Sequence, residues 1–562
     1  MAEPVWSTAC KDWERRIIAG EPLIPFGPLF PEEAQSALDL FSTLKLVDVT
    51  GEPTMAEAAR PWVVEFVSAI FGAYNPTTGR RLINEFLMLI SKKNGKSTLA
   101  AGIMLTALVQ NWRKSGEFLI LAPTKEVADN SFTPIKDMIK ADEELDKLLH
   151  VQVNTRTIRH HKTGATLKVV AADAETVSGK KAIGVFVDEL HEFGKKARAS
   201  NMLLEATGGL ASRPEGFVIY ASTQSENPPA GVFKQKLQYA RKVRDGEIED
   251  PRFLPVLYEF PQKMLDEKAY LDLENAYVTN PNWGASVDVP RITQLHAQHQ
   301  ESGEEGMREF LAKHLNVQVT MALSADRWAG ADFWEPAGDK TLTFDELLER
   351  AEVIVFGIDG GGLDDLLGLA AIGRCKKTRK WLHWAHAWAH EIVFERRKDI
   401  APRLRDFESA GDLTVVKKPG EDVKKVADII CSVRDAKLLP AKNAIGVDAA
   451  GIGAIVEELM SPGRGFTTDH ILAISQGWKL NGAIKTTERM IAGGDFIHGG
   501  SEMMAWCVGN AKVVQVGNAI TINKQVSGTA KIDPLMATFD AATLMAENPA
   551  AKHKTLVLAT AG

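Results

Sequence analysis

The segment SKKNGKST at residues 91–98 contains the residue types that bind the phosphates of a nucleotide. Gly95, Lys96 and Ser97 match the end of the GxxxxGK[ST] loop, in which backbone N–H groups surround the phosphates, the lysine reaches the β- and γ-phosphates, and the hydroxyl binds Mg²⁺. Ile90 stands where the leading glycine of that loop is expected. Several lysines at the positive end of a helix are unfavourable without an anion, which favours an ATP site over a solvated lysine cluster. The predicted nucleotide-binding residues of this segment are Lys92, Lys93, Asn94, Gly95, Lys96, Ser97 and Thr98.

Two polar pairs follow apolar runs further along the same half of the chain. Asp188 and Glu189 come after AIGVFV, and Thr223 and Gln224 come after GFVIYAS. An ATPase needs one carboxylate for its Mg²⁺ and a neighbour that polarises the attacking water. We therefore predict that Asp188 binds the metal, that Glu189 is catalytic, and that Thr223 and Gln224 contact the γ-phosphate. Ordinary polar turns are the alternative for both pairs.

Three aspartates in the second half could form a different metal site. Asp359 ends the apolar run VIVFGI, Asp448 ends NAIGV, and Asp533 begins the amphipathic segment DPLMATFDAATLM. Carboxylates brought together from distant segments need cations to offset their burial. Two Mg²⁺ ions would provide that charge and activate water for phosphodiester cleavage, and Mn²⁺ could replace them. Acids on a first strand, a later strand and a final helix are the arrangement of RNase H-like nucleases, although turns and a helix N-cap explain each aspartate alone.

Four nearby residues have weaker signals. Asp365 lies six residues after Asp359 and is either a fourth ligand or a solvated loop residue. Asp540 is predicted to stabilise the surface of the last helix. His386 and His390 alternate with tryptophans in WAHAWAHE, so we interpret them as strand residues rather than metal ligands.

The elements that must position these residues alternate between short apolar runs and helical patterns. Such runs predict buried parallel strands with helices on both faces, which is an α/β fold. The predicted strands of the first half are 84–90, 117–123, 165–173, 182–189 and 216–223, with a helix at 97–112. The predicted domains are an ATPase with a mostly parallel sheet (1–325), a linker (326–350), an RNase H-like α/β nuclease (351–548) and a tail (549–562).

Composition is that of a soluble globular protein, and the chain is long enough for two domains. The 562 residues carry a net charge of −7, contain four scattered cysteines, and include no run that predicts a signal peptide or a membrane span. Basic stretches at 195–200, 233–244 and 376–380 could contact DNA phosphates, although such stretches are more often solvated faces. An arginine supplied by a neighbouring subunit could complete the ATP site. The candidates for it are Arg156, Arg159, Arg198 and Arg213.

The order and spacing of these motifs resemble the terminase large subunits of tailed double-stranded DNA bacteriophages. The similar segments are SKKNGKSTLAA, VFVDELHEF, YASTQ, TNPNWG (279–284), the strand ends at Asp359 and Asp448, IHGGSEMMAWCVGNAKV (497–513) and KIDP before the last helix. That family tolerates a basic–Lys–Asn–Gly–Lys–Ser loop, so the missing glycine does not exclude ATP. One departure is Val63, which stands where the family often has a glutamine near the adenine.

The resemblance implies a motor and a nuclease in one chain. A ring of subunits on a portal protein would use ATP to move double-stranded DNA into a procapsid, in the cytoplasm of the host cell. A terminase small subunit would assist, and the nuclease would cut concatemeric DNA with Mg²⁺ or Mn²⁺. Two rivals remain. One is a helicase-like repair ATPase fused to a nuclease, which would require helicase motifs or a second motor core. The other is a non-catalytic DNA-binding relative, which would have no reason to keep Lys96, Glu189 and the three aspartates together.

Overall fold

A computed structural model describes residues 4–172, 182–196, 199–318, 327–448, 453–524 and 531–551. The chain divides into two units, Met1–Val319 (unit 1) and Thr320–Gly562 (unit 2). Arg198, residue 326 of the predicted linker and residues 552–562 of the predicted tail lie outside the described residues. No described helix has both the length and the apolar character needed to cross a membrane.

The described elements of unit 1 alternate between strands and helices. Its strands are β1 (Tyr74–Asn75), β2 (Arg80–Arg81), β3 (Glu85–Leu89), β4 (Glu117–Ala122), β5 (Leu149–Gln152), β6 (Thr157–His160), β7 (Thr166–Ala171), β8 (Ala182–Val187), β9 (Phe217–Ser222) and β10 (Phe253–Leu257). Its helices are α1 (Trp13–Ala19), α2 (Pro31–Thr43), α3 (Met55–Ala58), α4 (Pro61–Phe71), α5 (Lys96–Val109), α6 (Lys125–Lys140), α7 (Glu143–Leu148), α8 (Leu190–Phe193), α9 (Ala199–Thr207), α10 (Gly231–Asp245), α11 (Gln262–Asp266), α12 (Val289–Glu301) and α13 (Gly303–Leu315).

The main sheet of unit 1 has the strand order β10-β3-β9-β8-β4-β7-β6-β5. The six strands from β10 to β7 are parallel, whereas β5 and β6 pair antiparallel at one edge. Strands β8 and β9 are buried along their whole length, which is expected when helices cover both faces. The predicted strands and the helix after the phosphate loop are confirmed to within three residues at each end. Because β9 lies between β3 and β8, the carboxyl ends of these three strands meet at one edge.

Unit 2 contains a second sheet. Its strands are β11 (Ala351–Gly360), β12 (Leu366–Cys375), β13 (Trp381–His390), β14 (Leu413–Val416), β15 (Ile445–Asp448), β16 (Ile471–Ile474), β17 (Phe496–His498), β18 (Ala511–Val516) and β19 (Ala519–Lys524). Its helices are α14 (Ala331–Trp334), α15 (Phe344–Arg350), α16 (Val393–Arg396), α17 (Ala401–Ala410), α18 (Glu421–Asp435), α19 (Gly453–Met460), α20 (Asn481–Ala492), α21 (Glu502–Gly509) and α22 (Asp533–Ala546). The sheet order is β14-β13-β12-β11-β15-β16, with β17 also paired to β13.

Strands β11, β12 and β13 of this sheet form an antiparallel meander, and β15 and β16 continue it in parallel. The fold class is therefore α/β, with mixed and mostly parallel sheets. Residues 327–350, predicted as a linker, instead contribute α14 and α15 to unit 2. Trp328 and Trp334 of this stretch are fully buried in its apolar core, which a solvated linker would not allow.

Helix α22 lies directly against β11 and β12 because glycines leave room for it. A Cβ atom on Gly357 would lie 1.9 Å from the carbonyl oxygen of Ala537, and one on Gly368 would lie 2.7 Å from the nitrogen of Pro534. Gly360 has φ +85° and faces the side chain of Asp533. Only glycine fits at these contacts. The start of α22 is therefore held beside the end of β11, where Asp359 lies.

Candidate active sites

The phosphate-type loop of unit 1 connects β3 to α5 and is shaped by two left-handed residues. Lys93 has φ +74° and Gly95 has φ +80°. Ile90 is buried and donates its backbone N–H to Ser222 O at 3.0 Å, so it extends the strand pairing. The leading position of the loop is thus the end of a strand here, and no glycine is needed at it. Lys92 and Lys93 are exposed, whereas Lys96 is buried.

Asparagine side chains hold this loop in place. Asn94 donates to Ser91 O at 3.0 Å and to Asn280 Oδ1 at 2.8 Å, and its Oδ1 accepts from the backbone N–H of Asn282 at 3.0 Å. Asn282 donates back to Asn94 O at 3.1 Å. Trp62 Nε1 donates to Asn282 Oδ1 at 2.8 Å. The side chain of Asn94, predicted to bind the nucleotide, is therefore used to shape the loop, and the TNPNWG segment is its clamp.

The predicted metal-binding residues of unit 1 lie together. Ser97 Oγ and Ser131 Oγ donate to Asp188 Oδ2 at 3.3 and 3.1 Å. Lys96 Nζ lies 3.8 Å from Glu189 Oε1. Burial and the charge of Glu189 raise the pKa of Asp188, and Lys96 and the two hydroxyls offset part of that rise. Thr98 follows on α5 and is half-buried.

Glu189 follows β8 in a left-handed conformation, with φ +53°. Burial alone would raise its pKa, but the positive charges of Lys96 and His191 outweigh burial and hold the pKa below its usual range. The carboxylate is therefore ionised beside the lysine. A non-glycine residue in this region of backbone space is strained, and such strain is common at functional sites.

The end of β9 carries the two residues predicted to sense the γ-phosphate. Both Thr223 and Gln224 are buried. The backbone N–H of Gln224 donates to Asn316 Oδ1 at 2.9 Å, and Asn316 donates to Tyr258 O at 2.9 Å. Asn316 thereby ties the end of β9 to the residue that follows β10. A role for Asn316 was not predicted, because the residue belongs to none of the sequence motifs.

His191 is a second residue that the sequence analysis missed. It is 7% exposed, and its Nδ1 lies 3.3 Å from both Glu189 Oε2 and Ser222 Oγ. Its Nε2 lies 3.1 Å from Glu192 Oε1. Burial lowers the pKa of His191, but the two glutamates outweigh burial and the pKa lies above its usual value. Its position in VDELHEF, close to the acidic pair, is the sequence feature from which a role for His191 could have been predicted.

Two buried oxygens of this site have room for a ligand. Within the described residues, Asp188 Oδ1 and Gln224 Oε1 are buried and have no hydrogen-bond partner. Buried acceptors are normally satisfied, so each is an open position for a metal-bound water, a nucleophilic water or a phosphate hydroxyl. The donor set, a hydroxyl and a carboxylate beside a lysine, is one that fits Mg²⁺ and a nucleotide phosphate.

The acidic residues of unit 2 also approach one another, but the set differs from the predicted one. Asp359 ends β11, Asp448 ends β15, and Asp533 begins α22. Asp540, predicted to lie on the helix surface, is 0% exposed. That prediction is wrong because α22 is buried on nearly all sides, and residues seven apart share one helix face. Asp540 therefore lies on the same face as Asp533.

The charge environment of Asp540 places it with the predicted acids. Burial raises its pKa well above the usual value, and the negative charges of Asp359 and Asp448 raise it further. Gln476 Nε2 donates to Asp540 Oδ1 at 3.0 Å, while Asp540 Oδ2 and Gln476 Oε1 are buried without a partner among the described residues. A buried, unsatisfied carboxylate near two others is the donor set that a divalent cation would satisfy. In the described part of the chain, however, no three acidic, histidine or cysteine side chains are arranged closely enough to hold a metal ion.

The remaining weak candidates of unit 2 have structural contacts. Asp365 forms an ion pair with the buried Lys531, whose Nζ also donates to Asp364 O at 3.3 Å. His386 and His390 lie in β13, as predicted, with Nε2 atoms 2.8 Å from Thr414 Oγ1 and from Lys417 O. Asp365 therefore contributes to charge balance beside α22.

A sequence model of the family described as "Terminase large subunit, ATPase domain" matches residues 61–242. The terminase large subunit of Lactococcus phage p2 is 21% identical over 475 residues, which cover 81% of each chain. That of Enterobacteria phage HK97 is 22% identical over 485 residues, covering 85% of this chain and 87% of the relative. Residues 61–242 therefore match the ATPase domain of terminase large subunits, and the chain is similar to such subunits over most of its length. The crystal structure of the HK97 large terminase has a TM-score of 0.48 at 18% identity and covers 91% of this chain and 99% of that one.

Val63, which stands where a glutamine was expected, has a structural role in this chain. Val63 is buried in α4, and its neighbour Trp62 reaches the loop clamp through Asn282. This stretch therefore supports the loop at residues 91–98.

Several cations of the basic stretches have acidic or carbonyl partners. In α10, Lys236 pairs with Glu85 at 2.8 Å, and Arg241 and Arg244 both pair with Glu259. In the 376–380 stretch, Arg379 pairs with Glu352. In the 195–200 stretch, Lys195 pairs with Glu192 and Glu226, and Lys196 donates to Pro123 O. The stretches at 195–200 and in α10 are therefore partly neutralised, whereas Lys376 and Lys377 of the third stretch are exposed.

The candidate arginines differ in their surroundings. Arg156 pairs with Asp129 at 2.5 Å, Arg159 is exposed on β6, and Arg213 is partly buried. Of these three, Arg159 has the most exposed side chain.

Proposed function

We propose that this chain is a terminase large subunit that hydrolyses ATP in unit 1 to move double-stranded DNA and cuts DNA in unit 2. The observation that carries the first half is the meeting of Lys96, Ser97, Asp188 and Glu189 at the carboxyl edge of one parallel sheet. Ligands of α/β sheets bind at this edge. A non-catalytic relative would have no reason to keep a buried, unsatisfied carboxylate oxygen there, because it costs stability.

Each residue of unit 1 has a role in the proposed hydrolysis. Backbone N–H groups of the loop and Lys96 bind the β- and γ-phosphates. Ser97 and Asp188 would hold Mg²⁺, which when bound supplies positive charge against the phosphates. Glu189, whose carboxylate is ionised, accepts a proton from the attacking water. Thr223 and Gln224 contact the γ-phosphate, and their links to other strands transmit its loss.

In unit 2, the proposed nuclease site comprises Asp359, Asp448, Asp533 and Asp540. These residues would hold Mg²⁺ or Mn²⁺, which when bound activates water and stabilises the leaving oxygen. The chain's own contribution is to fix the carboxylates on two strands and one helix. Gln476 orients Asp540 through one oxygen and leaves the other available.

The assembly proposed for this chain follows from the family. A ring of subunits on a portal protein, with a terminase small subunit and concatemeric DNA, would work in the host cytoplasm. The cuts would generate the ends at the start and completion of packaging. A helicase-like repair enzyme is not favoured, since the matched family is that of terminases.

The two halves are tested by a crossed pair of variants. Lys96→Ala should abolish ATP hydrolysis and leave plasmid cutting with Mg²⁺ or Mn²⁺ intact, whereas Asp359→Ala should do the reverse. Lys114→Ala and Asp469→Asn, at exposed positions of the two units, are the matched controls. The nuclease half is refuted if the wild type never cuts with either metal and Asp359→Ala changes nothing. The ATPase half is refuted if Lys96→Ala hydrolyses ATP at the wild-type rate.

A further inference from the structure

His191 occupies a position between the proposed catalytic glutamate and the end of β9. It lies in the short helix α8, two residues after Glu189, and is almost fully buried. Phe233 of α10 packs edge-on against its ring, with centroids 6.3 Å apart. The ring is therefore held in one orientation, and both of its nitrogens face oxygens.

The backbone and ring of His191 both contact Ser222. The backbone N–H of His191 donates to Ser222 Oγ at 3.0 Å, and Ser222 Oγ donates its own proton to Thr223 O at 2.9 Å. A hydroxyl has only one proton, so Ser222 Oγ can only accept from His191 Nδ1, 3.3 Å away. We therefore assign a proton to Nδ1, which the Glu189 carboxylate 3.3 Å away also favours.

That proton faces oxygens of two different elements. Glu189 Oε2 lies 3.3 Å from His191 Nδ1, and Thr223 Oγ1 lies 3.5 Å from the same nitrogen. The opposite oxygen of the carboxylate, Oε1, faces Lys96. His191 and Lys96 thus contact the two oxygens of Glu189 from separate elements.

We propose that His191 is a positioning residue of the ATPase, which orients Glu189 and couples it to the Ser222–Thr223 end of β9. When a phosphate attracts Lys96 away from Glu189, His191 remains as the contact that fixes the carboxylate. A movement of Thr223 when the phosphate is lost would then be transmitted to Glu189 by the His191 ring, which contacts both residues. This inference rests on the proposed ATP hydrolysis in unit 1. It adds the residue that connects Glu189 to the end of β9.

Amide substitutions can distinguish the roles of the two ring nitrogens of His191. In His191→Asn the amide can occupy the place of Nδ1 and keep the contact with Glu189 and Ser222. In His191→Gln the amide can occupy the place of Nε2 and keep only the contact with Glu192. His160→Asn is the matched control, because His160 is also buried in unit 1 but lies in β6, away from the site.

The measurements are steady-state ATP hydrolysis and the binding of a fluorescent ATP analogue by the full chain. Misplacing a catalytic group by about 1 Å can cost about 100-fold in rate. We expect kcat to fall by about tenfold or more in His191→Gln and His191→Ala, with KM and analogue affinity changed less than about twofold. We expect His191→Asn to recover most of kcat. Ser222→Ala should lower kcat in the same direction, and the His191→Ala/Ser222→Ala double variant should be no slower than His191→Ala.

The outcomes separate this inference from the proposed function. If the wild type and His160→Asn hydrolyse no ATP, the proposed function fails and the inference fails with it. If they hydrolyse ATP and every His191 variant keeps the wild-type kcat, only the inference is refuted. It is also refuted if His191→Asn and His191→Gln are equally impaired, or if the losses of the His191 and Ser222 variants simply multiply. Either result would show that the ring only fills space.

Discussion

Replacing Asp540 by asparagine should have opposite effects on unit 2 with and without metal. In the metal-free chain, one oxygen of this buried carboxylate has no hydrogen-bond partner among the described residues, and Asp359 and Asp448 repel its charge. Asparagine is nearly isosteric and removes the charge. It can still bond to Gln476, which reaches Asp540 Oδ1 at 3.0 Å. The metal-free protein should therefore become more stable, whereas the metal-bound protein should lose a ligand.

The size of both effects follows from general magnitudes. Folding must bury or protonate this carboxylate, whose pKa is raised well above its usual value, and each pKa unit costs about 1.4 kcal/mol, so the metal-free gain should be at least about 1.4 kcal/mol. For a unit the size of Thr320–Gly562 this raises Tm by at least about 3 °C. A divalent cation at ten times its Kd stabilises the wild type by about 1.4 kcal/mol, or about 3–5 °C. That shift should vanish in the variant, together with plasmid cutting.

Differential scanning calorimetry of the full chain with EDTA, Mg²⁺ or Mn²⁺ provides the test. Because ATP should shift the transition of unit 1, the other transition can be assigned to unit 2. Asp469→Asn, an exposed acid of the same unit, should change neither value. The reasoning is wrong if Asp540→Asn lowers the metal-free Tm or keeps the full metal shift. If Asp533→Asn alone abolishes the shift, Asp533 is the helix ligand and Asp540 is not.

Three further predictions concern the loop clamp, the catalytic base and acid stability. Asn282→Ala should raise KM for ATP by about tenfold, because it removes the two bonds that join Asn94 and Trp62 to one side chain. Glu189→Gln should bind ATP but hydrolyse it at least about 100-fold more slowly, since the proton acceptor is lost. Burial, together with the charge of His498, lowers the pKa of His383 to about 3. The unfolded chain therefore binds the extra proton first, so unit 2 should lose about 1.4 kcal/mol per pH unit as the pH falls below about 6.5.

Each of these predictions has its own control and its own contrary result. For the clamp, Ser286→Ala removes a hydroxyl that accepts from Asn282 Nδ2 and donates to Lys93 O but has no bond to Asn94 or Trp62, so it should raise KM less than Asn282→Ala. An unchanged KM in Asn282→Ala would contradict the clamp. For the base, a Glu189→Gln variant that turns over at the wild-type rate would remove Glu189 from catalysis. For acid stability, His383→Gln should flatten the decline below pH 6.5, and an identical decline would place its origin elsewhere.

The strands, and the edge at which the carboxyl ends of the parallel strands meet, could be predicted from the sequence. Apolar runs gave the strands, and the carboxyl ends of parallel strands necessarily meet. Ser97 and Asp188 therefore lie 3.3 Å apart although 91 residues separate them. The sequence could not predict the pairing of polar side chains between distant segments. The bond between Asn94 and Asn280 spans 186 residues and follows no periodicity.

Errors arose where local pattern suggested exposure but packing decided otherwise. Asp540 lies in a helix of moderate amphipathicity, and its burial depends on Gly357 and Gly368, which let α22 press against the sheet. The basic stretch of α10 suggested a DNA surface, yet Lys236 is neutralised by Glu85, 151 residues away. A run of like charges shows only that partners are needed. Whether those partners are phosphates or carboxylates depends on the fold.

We expect the charges of the proposed nucleotide site to change when a nucleotide binds. Lys96 Nζ lies 3.8 Å from Glu189 Oε1. A γ-phosphate carries more charge than a carboxylate and is the better partner for a buried lysine. Binding of ATP would therefore withdraw Lys96 and free the glutamate in the same step that brings the substrate. The only other cation in contact with that carboxylate, among the described residues, is His191. A site built in this way gains its base only when its substrate is present.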